Sequence, residues 1–288
     1  MFKGPGFTIV AGRVGKRMEL RGAWNREFAE QMRLAGVQEL EINYAKGFVG
    51  KDISFLADLD WLEGLLLIHR TLPDDTAVQS LSSLRLLDLN TYCRNPINFS
   101  AFPRLEECSL EWRSGAASLF QCHTISRLFI NSYTAKHSES FRSLHGLTEL
   151  RIANGALSDL SGLSSCRNLD FLGLYNLKRL PNLQGLGELA GLERLELNGC
   201  RNIRNIDEIA KLRHLRVLHL CDDGHISSLK PLADLVELEE FLFYESTNIL
   251  DGDLSPLIQL PSLKKVVFAE RVHYSHRRLD FERSVLRK

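Results

Sequence analysis

The chain has 288 residues, 36 Lys plus Arg against 36 Asp plus Glu, and is 44% hydrophobic and 25% charged. This is the composition of a soluble folded protein, and it lacks the basic excess that marks a dedicated nucleic-acid binder. No stretch approaches the length of a transmembrane helix, so neither nucleic acid nor membrane is expected as a partner.

From the N-terminus, Thr8-Ile9-Val10 and Arg17–Leu20, joined through Gly12 and Gly15, predict a hairpin. Trp24, Phe28, Met32 and Ala35 share one helical face, which predicts a helix over 24–35 with Gly36 as its C-cap. Together these form a modified N-terminal cap, 1–36. Within it Met18-Glu19-Leu20 already begins a pattern that fills the rest of the chain.

That pattern is apolar-x-x-apolar-x-apolar, clearest at Leu169-x-x-Leu172-x-Leu174, Leu192-x-x-Leu195-x-Leu197 and Leu215-x-x-Leu218-x-Leu220. Its middle positions are Met18, Leu40, Leu65, Leu87, Cys108, Leu128, Leu150, Leu172, Leu195, Leu218, Phe241 and Val266, in steps of 20 to 25 residues. Internal repetition on this period is the signature of a solenoid, which grows by adding coils rather than by enlarging one core. Alternation such as Leu40-Glu41-Ile42-Asn43 predicts a short strand whose leucines point inward. The return half carries Leu-x-x-Leu spacings (Leu157, Leu160, Leu163; Leu229, Leu232, Leu235) with Pro231, Pro256 and Pro261. Turns and short 3₁₀ pieces fit that spacing better than long helices. The solenoid is assigned to 37–270. Beyond Phe268 the chain turns basic (Arg271, Arg277, Arg278, Arg283, Arg287, Lys288), so 271–288 reads as a short cap and a mobile tail. Tyr274, Leu279 and Phe281 are the residues available to cover the last coil, and the sequence leaves open whether they do.

The repeated motif resembles that of leucine-rich repeat proteins, in the short-period class of the SDS22-like and internalin-like families, over nearly the whole chain. The resemblance implies an α/β fold: a right-handed solenoid with a curved parallel sheet on its concave face and turns on its convex face. It also implies an Asn or Cys five residues after the middle leucine. That position holds Tyr92, Arg113, Tyr133, Gly155, Leu177, Cys200 and Asp223, so the usual ladder is mostly missing and individually shaped loops are expected.

Candidate chemistry is sparse. His273 and His276 form an H-x-x-H pair without the further ligands zinc requires. Gly12–Arg17 departs from the phosphate-loop pattern at Val10 and Arg17. Asn98-Phe99-Ser100 matches a glycosylation triplet with no export signal to support it. Cys200, Cys221 and His219 lack an orienting acid. No catalytic group, metal or cofactor is therefore assigned. Six scattered cysteines and an apolar run of only Phe7–Ala11 at the N-terminus lead us to expect a cytoplasmic protein.

What remains is a surface. Residues just before, just after and three after each middle position face the concave side. In the coils of Leu40, Leu65, Leu87 and Cys108 these include Glu39, Glu41, Asn43, Asp88, Asn90, Glu107 and Glu111, with no Lys or Arg. Tyr44, His69 and Trp112 stand at the strand ends. The middle coils add Arg127, Phe129, Asn131, Glu149, Arg151, Phe171 and Tyr175, and later ones Arg194, Glu196, His219, Leu242 and Tyr244. A one-signed block selects partners by its field, and exposed aromatics anchor interfaces. The expected function is a non-enzymatic module that grips a protein presenting basic or apolar groups. It would neutralise a toxin or enzyme as a bacterial immunity-type inhibitor does. The alternative is an adaptor or substrate-recognition subunit of a larger complex.

Overall fold

A computed structural model describes residues 2–4 and 6–285. The basic residues Arg287 and Lys288, assigned above to the tail, lie outside the described residues. The chain divides into two compact units, the first ending at Ile130 and the second starting at Asn131.

In the first unit β1 (Phe2–Gly4), β2 (Phe7–Ala11) and β3 (Lys16–Leu20) pair antiparallel, which includes the hairpin read from the sequence. Helix α1 (Glu27–Ala35) follows, then β4 (Val37–Asn43), β5 (Gly64–His69), β6 (Leu86–Thr91) and β7 (Glu107–Glu111). Strands β3 to β7 run parallel, each paired with the next. Strand β8 (Arg127–Asn131) lies at the end of this unit. The helix begins three residues later than predicted, because the Asn25 side chain accepts the Glu27 amide (3.1 Å) and holds the chain in a turn. Trp24 is thereby freed to stack on Phe55 (centroids 4.1 Å apart). Gly36 ends the helix in the left-handed region, at φ 64°.

The second unit carries β9 (Glu149–Ala153), β10 (Phe171–Tyr175), β11 (Arg194–Asn198) and β12 (Val217–Cys221). Next come β13 (His225–Ile226), β14 (Glu240–Tyr244), β15 (Asn248–Ile249), α2 (Ser255–Ile258), β16 (Lys265–Phe268) and α3 (Arg278–Val285). Strands β9, β10, β11, β12, β14 and β16 pair in that order, all parallel, and β13 pairs with β15. Register follows the repeat: Leu172 lies opposite Leu195, Leu195 opposite Leu218, and Leu218 opposite Phe241.

The return limbs explain the Leu-x-x-Leu spacing. A 3₁₀ turn has three residues, so side chains at i and i+3 fall on one line. In one coil Leu197, Cys200, Ile203, Ile206, Ile209, Leu212 and Leu215 recur at threes and all are buried. The 3₁₀ turns at Ser54–Asp58, Glu139–Ser143, Ser161–Ser165 and Asp207–Lys211 lie in such limbs. Pro231 and Pro256 occupy first-turn positions, where a missing N–H is harmless.

Strands β9, β10, β11, β12 and β14 leave the sheet through a left-handed residue: Asn154 (φ 52°), Asn176 (φ 55°), Gly199 (φ 72°), Asp222 (φ 55°) and Glu245 (φ 60°). Asn and Asp tolerate this region better than most residues. At the C-terminal end the sequence leaves open which residues cover the last coil. Tyr274 and Phe281 are buried and touch Phe268 edge-on (centroids 5.9 and 5.7 Å), whereas Leu279 stays exposed. The segment read as a short cap and tail thus includes α3, whose Phe281 packs on Phe268 of the last strand.

Candidate functional site

The outer face of the first unit is more occupied than the sequence suggests. Glu39 is completely buried, with its Oε2 accepting the Arg13 and Val14 amides (2.7 and 3.2 Å) and its Oε1 the Arg17 guanidinium (3.1 Å). Glu41, also buried, pairs with Arg17 (3.4 Å) and Lys46 (2.9 Å) and accepts the Asn43 amide nitrogen (3.1 Å). Lys46 reaches Glu19 as well (2.6 Å), and Arg21 pairs with the same carboxylate. Burial pushes the Glu19 carboxyl up, but Lys46 and Arg21 outweigh it and hold the group below its ordinary range. Asn43 is buried and caps the following turn through the Ala45 amide (2.9 Å).

The expected free acidic field is therefore corrected. Glu39, Glu41 and Asn43 are interior groups, and the cations of the two glutamates come from the hairpin (Arg17) and the Tyr44–Lys46 turn (Lys46). A buried carboxylate is tolerated only with such partners. Glu107 is half-buried between Arg13 and Arg127. Asp88 is half-buried, and desolvation raises its pKa, with Glu41 adding to the shift while Ser109 and Arg13 oppose it. Asn90 is exposed, Glu111 and Phe129 are half-buried, and Trp112 lies against Phe120 (5.9 Å). Tyr44 is exposed, edge-on to buried His69, with Arg70 over its ring (5.5 Å).

The second unit brings its expected residues together. Phe171 lies between two guanidiniums, Arg151 at 4.4 Å and Arg194 at 5.4 Å from its ring centre. Arg151 also pairs with Glu149. The Tyr175 hydroxyl donates to Glu196 (2.5 Å), which Arg194 contacts at 2.8 Å. Next along the face, His219 stands 3.7 Å from Glu196 and 2.7 Å from Glu240, and Lys265 completes the row at 3.0 Å from Glu240. Burial pushes both carboxyls up, but hydrogen bonds reverse the effect: Tyr175 and Arg194 lower Glu196, and His219 and Lys265 lower Glu240. The row runs across neighbouring strands as a chain of polar contacts and leaves Phe171, Leu242 and Tyr244 half-buried on the same face. Glu240 and Lys265 were missed in the sequence, although each directly precedes a middle position and obeys the same offset as Glu39.

Inside the coils, specific pairs replace the missing ladder. Arg113 donates to the Cys93 carbonyl (3.1 Å) and pairs with buried Asp75 (2.7 Å), which also accepts the Thr91 hydroxyl. Asp223 accepts the Cys200 amide (2.7 Å), and Thr247 accepts the Asp223 amide (3.0 Å) while donating to the Leu220 carbonyl (2.8 Å). On the exposed rim, Asn154 donates to Asn131 (2.8 Å) and Asn176 to Asn154 (3.1 Å), an asparagine row displaced from the family position.

Nothing in this arrangement resembles an activated nucleophile. Burial raises the thiols of Cys166 to about 11 and Cys200 to about 12. Among the described residues, no group of His, Cys, Asp and Glu is placed to hold a metal, and no helix is long and apolar enough to cross a membrane. His273 faces the Ile249 carbonyl (3.0 Å) and His276 the Ser275 hydroxyl (2.8 Å).

No family model matches the chain, and no curated protein matches it. Solved structures do. An internalin from Listeria monocytogenes aligns at TM-score 0.62 and 16% identity, over 89% of this chain and 83% of its own. A leucine-rich repeat protein from Leptospira interrogans aligns at TM-score 0.57 and 16% identity, over 92% of this chain and 73% of its own. The ectodomain of the Arabidopsis receptor kinase HAESA, solved with a peptide hormone ligand, aligns at TM-score 0.54 and 18% identity, over 74% of this chain and 40% of its own. The parallel strands, the 3₁₀ return limbs and these neighbours define a leucine-rich repeat fold. The chain is similar to the internalins in that fold, on the short-period pattern read from its leucines.

Proposed function

We propose that this protein is a non-enzymatic protein-binding module that holds its partner on the outer face of the second unit's sheet. The observation that carries this reading is the row Arg151–Phe171–Arg194–Glu196–His219–Glu240–Lys265, an aromatic anchor set among mutually oriented cationic and acidic side chains. Aromatic and Arg side chains dominate the binding energy of interfaces, and pre-paired charges lose little freedom on binding. A partner that fits presents an apolar contact for Phe171 and charges of both signs beside it. This departs from a simple basic complement, because Glu39, Glu41 and Glu107 of the first unit are already paired with cations.

The finer proposal is neutralisation by occupancy, in the manner of an immunity-type inhibitor: a binding face lets the chain act by covering another protein. The peptide ligand of the HAESA ectodomain supports the use of such a fold to hold a polypeptide. An adaptor role is favoured instead by Val236 and Leu250, large apolar side chains exposed away from the outer-face positions, which offer a second surface. The cysteines are buried and unpaired, which fits our proposal of a cytoplasmic location. Affinity capture from the native host tests both readings. One stoichiometric partner, lost with Phe171→Ala, is expected for the inhibitor. Two partners captured together, only one of them lost, would establish the adaptor. Capture unaffected by Phe171→Ala would refute the proposed face.

A further inference from the structure

The turn of the β2–β3 hairpin does not end at the sheet's edge. It folds onto the sheet's outer face. Gly12 and Gly15 close the turn through a backbone hydrogen bond (2.7 Å). The turn then offers the Arg13 and Val14 amides to Glu39 of β4 (2.7 and 3.2 Å). Val14 lies over β5 so closely that a side chain on Gly64 would meet its methyl at 2.8 Å, so the glycine there makes room for the turn. From this position Arg13 extends to an ion pair with Glu107 on β7, passing close enough to Asp88 of β6 to stabilise its charge. The turn thus lays backbone donors on a buried carboxylate and a guanidinium on an outer one.

We propose that this turn is an autoinhibitory strap, an occupant from the chain itself that closes the outer face from β4 to β7, with Arg13 as its latch on Glu107. The proposal extends to the first unit's outer face the binding reading made above for the second unit's face. The division of labour within the hairpin supports it. Strands β2 and β3 are joined over their full paired length and fix its base. The Arg13 side chain, by contrast, is 44% exposed, and an ion pair so open to water is weak and screened by salt. The base is fixed and the latch releasable. When the turn lifts, Glu39, Asp88 and Glu107 open toward solvent together with Leu66, Arg17 and Arg127 stay on the two glutamates, and the face becomes more acidic by the charge of Arg13.

The test has two arms, both on the full chain. Amide hydrogen exchange at residues 13 and 14 is measured in the wild type, in Arg13→Glu, and in the charge swap Arg13→Glu with Glu107→Arg. Exchange should rise at least tenfold in the single variant and return toward the wild-type rate in the swap, while the Leu40 amide stays protected and shows an intact core. In the second arm a nona-arginine peptide is titrated at low salt. Arg13→Ala should bind it at least tenfold more tightly than the wild type. Arg104→Ala, which removes the same charge from an exposed site off that face, should stay within twofold. Unchanged exchange in Arg13→Glu, or equal peptide affinities for Arg13→Ala and Arg104→Ala, would overturn the proposal. Phe171 has no part in the strap, so partner capture by the Phe171→Ala variant reports on the proposed function alone.

Discussion

Asp223 accepts the Cys200 amide on one carboxylate oxygen at 2.7 Å, while its other oxygen is buried with no partner. Desolvation raises its pKa to about 7, with the neighbouring Asp222 charge adding to the shift. The folded chain therefore prefers a protonated Asp223, whereas the unfolded chain ionises it near pH 4. Between these values the folded state binds more protons, so stability should fall as pH rises from about 4 to about 7 and level off above. Urea unfolding midpoints measured across that range check the slope, and Asp223→Asn should flatten it. Asp223→Ala leaves the Cys200 amide unsatisfied and should cost about 1–3 kcal/mol.

The Asp75–Arg113 pair in the first unit is a second buried polar device, and breaking it from one side strands a charge. Arg113→Met or Asp75→Leu alone should each destabilise by about 3–5 kcal/mol, and the double variant by less than their sum. A double-mutant cycle by denaturant titration measures the coupling. Strict additivity would show that the two groups act independently.

Closure of the C-terminal end depends on two aromatics. Phe281→Ala and Tyr274→Ala should each cost about 3–5 kcal/mol, since they uncover Phe268. Leu279→Ser, on the exposed side of α3, should change stability by no more than about 0.5 kcal/mol. Thermal unfolding of the three variants separates a packed cap from a loosely attached tail.

On the second unit's face, Phe171→Ala and Arg151→Ala should each weaken partner binding by about 2 kcal/mol, roughly thirtyfold. Because Phe171 is only half-buried, the folded state should lose less than it would from a core aromatic. Calorimetry with the captured partner, set beside melting curves of the free variants, reads the two effects separately.

How much of this was legible in the sequence depended on distance along the chain. The leucines declared the coils because each contact they make repeats at one fixed spacing. Phe171, Tyr175 and Glu196 were recognisable because strand alternation alone sends them outward. Glu39 and Glu41 obeyed the same alternation and still ended inside. Their cover comes from Arg13, Val14 and Lys46, and nothing in a local pattern says that a hairpin turn will fold back over a neighbouring strand. Asp75 and Arg113 were illegible for the same reason: each looks like an ordinary loop charge until the stacking of coils places them at 2.7 Å. The helix start was misplaced because the apolar periodicity included Trp24, and a side-chain turn at Asn25 overrode it.

The inward residues recurring at threes set a rule for changes in length. From Leu174 to Leu195, from Leu197 to Leu218 and from Leu220 to Phe241 every third residue is buried, without a break. The shorter coil that starts at Leu150 drops one residue between Ile152 and Leu157, directly after its strand, and then resumes the triplet count. A single insertion inside a return limb would rotate every later apolar side chain out of phase, whereas the same insertion just past a strand is absorbed locally. Variation in this chain, natural or engineered, therefore has a permitted address: the few residues after each strand, along the rim of the outer face, where a change in loop length alters the surface and leaves the stack intact.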